Sequence, residues 1–389
     1  MNKGSSNLNV SRHLHVDERV NLGSYYTPAR YVRMVGEWLM KNVGSVGSCT
    51  IADLSCGYGA FLELSNMPGL SGCRYVGNDI DPVAVEKAGS CFPKVEFRNR
   101  NALVDVSRGN FGLKDDERVV VVRNPPYNDV TSQTKHGIKS SDLPVDRDLR
   151  TRDIGMSSLL AYDRIRAEFV AVLHPLSYLV KKQNFSAARA FFSNYMMLEH
   201  VVFSSQEFAG TSKTTSFPVI AALYRRVEGT GISYEAVKRM WFNTVEGNRF
   251  SLSGFDYVTD EIAKYPSKRR YRPEILFYTL RDINALRRSR TFLSERIPNA
   301  VDVDPAKLAY YCYIDCFKRF AEIPYYLGNF NVPFIRDTFR DVEADVELVA
   351  KHAHPEVFGD TEEPSNEVYG RVRAYINASV EGRACQCAK

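Results

Sequence analysis

The sequence lacks long hydrophobic runs, and none of its apolar stretches approaches the roughly 20 residues that a membrane-spanning helix needs. The first 22 residues are polar, so we expect no signal peptide and a cytoplasmic location. The eight cysteines show no paired zinc-ligand spacing, which predicts reduced thiols and no metal site. The His-x-His pairs at residues 13–15 and 352–354 have no Cys or carboxylate companions, so we expect surface residues rather than ligands.

The chain also lacks a large excess of charge of one sign, since its net charge is only +5. This value alone does not indicate a nucleic-acid partner. The distribution of the charge is uneven. Residues 264–290 carry nine basic and two acidic side chains, whereas residues 331–389 carry seven basic and eleven acidic ones. A basic segment with interleaved aromatic residues favours contacts with phosphate groups, although a solvated charged helix has the same composition.

Strand-like and helix-like patterns alternate in the first part of the chain. Short apolar runs predict seven strands, at residues 50–54, 74–78, 95–97, 119–123, 169–173, 198–203 and 218–224. Helices are predicted from Thr27, as N-cap of a helix that starts at Pro28, from Ala60, and over 185–195. This alternation predicts an α/β fold, a doubly wound, mostly parallel sheet with helices on both faces. The alternation stops after Tyr224, which places a domain boundary near 225–230.

Two strand ends carry the pattern of a site for an adenosine-containing ligand. In "IADLSCGYGAFL" the first strand ends at Asp53, and Gly57 and Gly59 form a tight turn that lets a ligand approach the backbone. In "YVGNDID" the second strand ends at Asp79, a position that commonly accepts both ribose hydroxyls. Asp81, before Pro82, is the expected N-cap of the next helix, which leaves Asp79 for a ligand. An ordinary strand-to-helix turn remains the alternative for the glycines.

Two common phosphate-binding motifs are missing from this turn. No Lys-Ser or Lys-Thr follows the glycines as in a P-loop, and "GYGAFL" lacks the third glycine of dinucleotide-binding proteins. The spacing therefore does not favour a phosphate cradle.

The stretch "VVRNPPYN" places a rigid, donor-poor turn at the end of a buried strand. The two prolines, Pro125 and Pro126, fix φ and remove two backbone donors. The Asn124 side-chain oxygen and the Pro125 carbonyl then present acceptors that suit an amino group with two N–H bonds to donate. Tyr127 supplies a flat face on which a planar ring can stack. We predict a site for an exocyclic amine on an aromatic base.

The stretches "GSYYTP", "DLSCGYG", "NDID" and "NPPY" together resemble the S-adenosyl-L-methionine-dependent adenine-N6 DNA methyltransferases of restriction-modification systems. Their order is similar to that of the gamma group, and the resemblance covers about residues 23–224. It implies a seven-stranded methyltransferase sheet. It also implies a flexible arm over 1–22, a catalytic domain over 23–225 and a target-recognition region over 226–389.

The resemblance also implies roles for individual residues. The cofactor's methionine end and ribose would be lined by Tyr26, Thr27, Pro28, Asp53, Ser55, Cys56, Gly57, Gly59 and Asn124. Asp79 would bind the ribose hydroxyls, and Ile80 would pack on the adenine. Asn101, followed by Ala102, stands where the family usually has an Asp that binds the adenine amino group. Phe217 would stack on the far face of the target base, unless it is a core residue at the start of a strand.

The sequence thus predicts methyl transfer to N6 of an adenine that flips out of double-stranded DNA. Asn124, Pro125, Pro126 and Tyr127 would form the catalytic corner. In the basic segment, DNA contacts are expected from Lys268, Arg269, Arg270 and Arg272. A separate restriction endonuclease partner is compatible with this interpretation. An RNA methyltransferase, a protein-glutamine methyltransferase and a non-catalytic DNA-binding subunit remain alternatives, of which the second has little use for a basic segment.

Overall fold

The computed structural model describes residues 27–44, 46–125, 144–208 and 216–381. The predicted N-terminal arm and the candidate site residues Tyr26, Pro126 and Tyr127 lie outside the described residues. The described chain divides into two compact units. The first contains the described residues up to 208 together with Val219–Ala236. The second contains Ser216–Pro218 and residues 237–381.

The first unit is built around a seven-stranded sheet. Its strands are β1 (Cys49–Asp53), β2 (Arg74–Asp79), β3 (Glu96–Asn99), β4 (Arg118–Arg123), β5 (Phe169–Pro175), β6 (Tyr195–Ser204) and β7 (Pro218–Arg226). Their order is β3-β2-β1-β4-β5-β7-β6. The pairs among β1 to β5 are parallel, and β7 runs antiparallel to β5. This is the mostly parallel, doubly wound sheet of the Rossmann-like methyltransferase fold, so the predicted fold class is confirmed.

Helices connect and cover these strands. They are α1 (Ala29–Asn42), α2 (Pro82–Cys91), α3 (Ile154–Arg164), α4 (Ser177–Val180), α5 (Lys182–Ala187) and α6 (Arg189–Asn194), followed by α7 (Tyr234–Arg239) where the second unit begins. Short 3-10 helices lie at Val46–Ser48, Phe61–Asn66, Gly109–Phe111, Arg147–Leu149 and Ser205–Glu207. The central strands β1 and β4 are buried on both faces, in keeping with the Ile-Ala pair within β1 and the four consecutive valines of β4.

Three local helix predictions were wrong. The N-cap of α1 is Pro28 rather than Thr27, and no side chain caps this helix. The segment after the glycine turn is the 3-10 helix Phe61–Asn66, a tighter form that suits a short connection, rather than an α-helix. The helix predicted over 185–195 is divided at Ala188, whose backbone leaves the helical region, and the chain enters β6 at Tyr195.

The second unit combines small sheets with a helical layer. Its strands are β8 (Phe242–Asn243), β9 (Arg249–Phe250), β10 (Asp256–Tyr257), β11 (Leu276–Tyr278), β12 (Phe292–Leu293), β13 (Ala300–Asp302) and β14 (Pro333–Phe334). They pair as β12-β11-β13, β10-β14 and β8-β9. Its helices are α8 (Ile283–Leu286), α9 (Leu308–Phe320), α10 (Glu343–His352), α11 (Pro355–Phe358) and α12 (Asn366–Glu381). The 3-10 helices are Leu252–Gly254, Val258–Asp260, Pro305–Lys307, Tyr325–Leu327 and Arg336–Asp341.

An aromatic core holds the helical layer of the second unit together. The ring of Tyr313, on α9, lies edge-on to Phe339 at 5.7 Å and to Tyr375 of α12 at 5.6 Å between centroids. The Tyr313 hydroxyl donates a hydrogen bond to the carbonyl of Pro333 at 2.7 Å. Edge-on packing of this kind adds to the gain from burying the rings, so α9 is the central helix of this layer.

A buried carboxylate organises the same helix. Asp315 is 1% exposed and accepts hydrogen bonds from Thr291 Oγ1, from Arg319 Nε at 2.6 Å and from His354 Nε2 at 2.9 Å. Burial raises the pKa of Asp315, but the bonds from His354 and Thr291 outweigh this effect and the pKa is lowered. Burial lowers the pKa of His354, and the carboxylate of Asp315 raises it above the ordinary value. His354 is therefore part of an ion-pair network, and the prediction of a surface residue was wrong for it.

No helix in the described part of the chain is long and apolar enough to cross a membrane. Among the described residues, no group of three or more His, Cys, Asp and Glu side chains is arranged to hold a metal ion.

The His354–Asp315 pair predicts a pH-dependent stability. Because the folded pKa of His354 is raised, its contribution is present below the unfolded value, about 6.5, and is lost as pH rises through the folded pKa. The Asp315 contribution is present above about pH 4 and is lost on acidification. We expect His354→Gln to lower Tm at pH 6 by a few degrees, corresponding to about 1 kcal/mol, and by less at pH 9.

Thermal unfolding followed by circular dichroism measures this difference. His352→Gln is the matched control, because this histidine lies two residues away and shows no ion pair among the described contacts. An equal loss of Tm at both pH values would contradict the role of the ion pair.

Candidate active site at the carboxyl ends of the central strands

The predicted cofactor residues lie at the point where the strand order of the sheet reverses. From β1 the chain continues to β2 and β3 on one side, whereas β4 and β5 lie on the other side. In open α/β sheets, ligands bind outside the carboxyl ends of the strands at such a point. Asp53 ends β1, Asp79 ends β2 and Arg123 ends β4, so the sheet brings these three positions to one edge.

Two backbone N–H groups of the turn after β1 donate hydrogen bonds to the end of β2. The N–H of Cys56 donates to the carbonyl of Asn78 at 2.8 Å, and the N–H of Gly57 donates to Asp79 Oδ2 at 2.8 Å. The N–H of Ser55 donates to Asp53 Oδ1 at 3.2 Å. These bonds fix the backbone of the predicted cofactor turn before any ligand is bound.

The structure requires the two glycines of this turn for partly different reasons. Both have positive φ, +51° at Gly57 and +88° at Gly59, where L side chains are strained. A Cβ on Gly59 would also lie 2.6 Å from Phe92 Cε2, so this residue allows close packing against α2. A Cβ on Gly57 would meet no atom of the described residues within 4 Å. The described part of the chain thus leaves space open at Gly57, as a turn that approaches a ligand requires.

Asp81 has the N-cap role that the sequence predicts, whereas the contact of Asp79 with ribose hydroxyls stays a prediction. Asp81 is the N-cap of α2, because its Oδ1 accepts a hydrogen bond from the N–H of Val83 at 2.9 Å. The Asp79 carboxylate accepts from the N–H groups of Gly57 and Asp81, at 2.8 and 3.0 Å. A carboxylate has about four acceptor positions, so these two bonds leave capacity for ribose hydroxyls. The next residue, Ile80, is 47% exposed and offers an apolar surface beside them.

Asn101 is held in its own turn. Its Oδ1 accepts a hydrogen bond from the N–H of Leu103 at 2.9 Å, and its Nδ2 donates to the carbonyl of Pro144 at 2.8 Å. Ala102, beside it, is buried. The predicted contact of Asn101 with the cofactor adenine would use the second acceptor position of the same oxygen, and it stays a prediction.

The predicted catalytic corner is connected to the N-terminal helix through Thr27. Asn124 Nδ2 donates a hydrogen bond to Thr27 Oγ1 at 3.1 Å, and Thr27 is buried. The bond engages the nitrogen end of the carboxamide, which directs the oxygen end away from Thr27. Pro28 begins α1 directly after Thr27, and Pro125 is buried directly after Asn124. Two sequence stretches that are 97 positions apart thus meet at the predicted site.

Sequence reasoning missed Arg123, the residue directly before Asn124. This arginine is 3% exposed, and its Nε and Nη1 have no hydrogen-bond partner among the described residues. Its Cζ lies 5.9 Å from the centroid of the Tyr162 ring. The available signal was a charged residue that ends a run of four valines in a buried strand. Its positive charge lowers the pKa of both Asp53 and Asp79.

Asn78 was also missed, although it precedes Asp79. It is fully buried, and its Nδ2 donates to the carbonyls of Leu54 and Arg100, both at 3.0 Å. These two carbonyls follow β1 and β3, on either side of β2. The Asn78 side chain therefore ties together the carboxyl ends of three neighbouring strands.

Burial sets the protonation of the acidic groups in this site. It raises the pKa of Asp53 to about 7, against the opposing effects of Arg123 and of the Ser55 N–H, and Asp79 raises it further. Burial also raises the pKa of Asp79, while its two backbone hydrogen bonds lower it. Burial and the nearby carboxylates raise the pKa of Cys56 well above its usual range, so its thiol is neutral. The turn can offer carboxylates to a ligand but no thiolate nucleophile.

Apart from Tyr127, which lies outside the described residues, the residues predicted to contact the nucleic acid belong to the second unit. Phe217 lies in the segment Ser216–Pro218 and is half-buried. Lys268, Arg269 and Arg272 are exposed, and no ion pair of theirs is found among the described contacts. Arg270 instead donates to Asp302 Oδ2 at 3.3 Å, so part of its charge is already compensated.

Neither a protein-family model nor a curated protein matches the chain. Solved structures with a similar fold include a candidate class I S-adenosylmethionine-dependent methyltransferase from Listeria monocytogenes. It has 12% identity and a TM-score of 0.40, and the match covers 60% of this chain and 76% of that one. A type I restriction-modification methyltransferase subunit from Streptococcus thermophilus has 13% identity, coverage of 59% and 48%, and a TM-score of 0.40. TrmN from Thermus thermophilus has 13% identity, coverage of 52% and 53%, and a TM-score of 0.32. Sequence identities and TM-scores this low assign no function to this chain.

Because the pKa of Asp53 is raised in the folded state, ionisation of this residue lowers the free energy of unfolding. The unfolded carboxyl releases its proton near pH 4 and the folded one near pH 7, so the folded state binds more protons in between. Stability from this group therefore falls as pH rises over that range. Asp53→Asn stays neutral and can still accept the Ser55 N–H. We expect it to be more stable than the wild type at pH 8, by on the order of 1–4 kcal/mol, and nearly equal at pH 4.5.

Urea unfolding at the two pH values measures this effect. Asp116→Asn is the control, because Asp116 is exposed and no ion pair of it is found among the described contacts. A loss of stability in Asp53→Asn at pH 8 would show that the buried charge is better compensated than the structure indicates.

Proposed function

We propose that this protein is an S-adenosyl-L-methionine-dependent methyltransferase that modifies the N6 amino group of adenine in double-stranded DNA. The observation that supports this most directly is the hydrogen bond between Asn124 and Thr27 at the edge of the sheet that also carries Asp53 and Asp79. This bond supports the proposal because it orients the Asn124 carboxamide at the edge that also carries the candidate cofactor turn.

The described residues fit S-adenosyl-L-methionine in chemical type. The Asp79 carboxylate suits ribose hydroxyls, Ile80 offers an apolar surface for an adenine, and Gly57 leaves open space at the turn. Asp53 suits the ammonium group of the methionine part, because a cation beside it would stabilise its ionised form. When bound, this cofactor supplies a methyl group on a positively charged sulfur.

The chain itself would position the amino group that receives the methyl. In the proposal, the Asn124 side-chain oxygen and the Pro125 carbonyl accept the two N–H bonds of the adenine amino group. Both acceptors draw the N–H bonds in one direction and increase the electron density on nitrogen. Thr27 positions Asn124, because its hydroxyl oxygen accepts a hydrogen bond from the carboxamide nitrogen, which can only donate. Tyr127 and Phe217 remain proposed stacking partners for the flipped base.

The choice of double-stranded DNA rests on the basic segment together with the motif order of the sequence. Lys268, Arg269 and Arg272 are exposed, as phosphate contacts require. A peptide substrate such as that of a protein-glutamine methyltransferase would not need this charge. A restriction endonuclease encoded separately would be the corresponding partner.

Methyl transfer from tritiated S-adenosyl-L-methionine tests the proposal. We expect labelling of duplex DNA, with N6-methyladenine as the product nucleoside after digestion. Labelling of rRNA but not of DNA would favour the RNA methyltransferase, and no labelling of either would contradict an enzyme of this class.

Asn124→Ala should lose at least about 100-fold in methyl-transfer rate, because an oriented hydrogen-bonding group at a reacting centre contributes effects of this size. Binding of the cofactor, measured by isothermal titration calorimetry, should change only a few-fold. Asn66→Ala is the control, since this asparagine lies on the 3-10 helix and bonds only Glu63 among the described residues. A variant that keeps its rate would remove Asn124 from the mechanism.

Thr27→Val should reduce the rate by about 10-fold, because the carboxamide nitrogen loses the hydrogen bond to Thr27 that helps to orient it. Thr27→Ser keeps the hydroxyl and should restore most of the rate. Comparing kcat of the two variants under saturating substrates separates positioning from cofactor affinity. Similar rates for Val and Ser at this position would contradict the positioning role.

A further inference from the structure

The second unit contains a basic cavity that the sequence analysis did not assign. It has a volume of about 450 Å³, within the range of pockets that enclose ligands. Its lining includes Arg290, Thr291, Asp315, Lys318, Arg319 and His354. Four of these side chains are cationic or can become cationic, and they come from the segment before β12, from α9 and from the residue before α11.

The carboxylates in and beside the cavity are already engaged. Asp315 accepts from Arg319 and His354, and Glu356 accepts from His354 Nδ1 at 3.0 Å. With His354 protonated, four positive groups stand against these two carboxylates, which leaves a net charge of +2. The cavity therefore offers positive charge that the described protein groups do not neutralise.

Two cations account for this excess. The Lys318 ammonium donates to a neutral group, the carbonyl of Ser289, at 2.5 Å. Arg290 is exposed and shows no ion pair among the described contacts. Both retain N–H donors for a further acceptor, because an ammonium has three and a guanidinium five.

Hydrogen bonds around these two cations hold in place the backbone segments that carry them. The Thr291 hydroxyl donates to Asp315 and the Lys318 ammonium to the Ser289 carbonyl, so the segment that carries Arg290 is attached to α9 on both sides. Arg319 Nε is fixed on Asp315, and its Nη2 lies 3.0 Å from His354 Nε2. A preorganised set of guanidinium and ammonium donors matches the acceptor oxygens of a phosphate group.

We propose that this cavity binds a backbone phosphate of the nucleic-acid substrate, with Arg290 and Lys318 as its main contacts. The proposal rests on the proposed function, because it supplies that substrate with an additional anchoring point. Arg290 is the last residue of the basic segment, whereas Arg272 lies in its first half, before β11. Since β11 and β12 are antiparallel with Leu276 opposite Leu293, these two arginines lie toward opposite ends of the small sheet. The second unit would thus contact the backbone at two separate places.

Salt-dependent binding tests the cavity. Fluorescence anisotropy with a labelled 30-base-pair DNA duplex gives log K against log salt for the wild type, Arg290→Gln, Lys318→Gln and the double variant. Each lost phosphate contact should reduce the slope by about 0.9. Affinity near 0.1 M salt should fall by about 5–10-fold for each single variant and by about 50-fold for the double variant. Arg340→Gln, an exposed arginine of the same unit that does not line the cavity, should match the wild type.

Two further measurements, of Tm and of phosphate binding, make the result decisive. Tm values within a few degrees of the wild type show that the variants are folded; a double variant that unfolds is replaced by the two single variants. An unchanged slope in the variants, with normal DNA binding by the wild type, overturns the proposal. Calorimetry with inorganic phosphate distinguishes the source of the ligand: millimolar or tighter binding that the double variant loses, with an unchanged DNA slope, assigns the cavity to a free phosphate and overturns the backbone contact.

Failure of the proposed function gives a different pattern. If the wild type methylates and binds rRNA instead of DNA, the slope test is repeated on that RNA, where about 0.7 is lost per contact for single strands. If the wild type binds neither nucleic acid, both proposals fail. If it methylates DNA and the slope does not respond to the variants, only the cavity assignment fails.

Discussion

The candidate site depends on one carboxylate that accepts backbone hydrogen bonds from two different turns. Asp79 receives the N–H of Gly57, from the turn after β1, and the N–H of Asp81, from the turn before α2. This arrangement fixes the spacing between two strand ends without using a side chain of the glycine turn. The open space at Gly57 is therefore held in place by the protein rather than formed by a ligand, and a preformed site reduces the entropy that binding has to overcome.

The electrostatics of the site follow from burial. Three charged groups, Asp53, Asp79 and Arg123, stand at the ends of three adjacent strands where water has little access. Burial disfavours the ionised carboxylates, and the guanidinium of Arg123 opposes that effect. The same burial keeps Cys56 neutral. The chain thus concentrates acceptor oxygens at this edge and suppresses thiolate chemistry there.

Local patterns were sufficient for much of this arrangement. The seven strands were predictable because short apolar runs stand between clear turn signals, and the N-cap role of Asp81 followed from Pro82, which marks the start of a helix. The remaining features depend on contacts between distant positions. Threonine is a residue type that often caps helices, but the Thr27 hydroxyl accepts a hydrogen bond from Asn124, 97 positions away. Arg270 resembles a free phosphate contact, but Asp302 lies beside it in the folded chain. His354 resembles a surface residue until α9 brings Asp315 against it.

Arg123 has a consequence for how the site exchanges charge with its surroundings. A guanidinium keeps its proton at any physiological pH, whereas Asp53 titrates near neutrality. The arrival of a cationic ligand would therefore expel a proton from Asp53 into the solvent, and a ligand that has lost its positive charge would allow the proton to return. Proton exchange at this one buried carboxyl compensates the change in the charge of the ligand. The polypeptide therefore need not rearrange to accommodate either state.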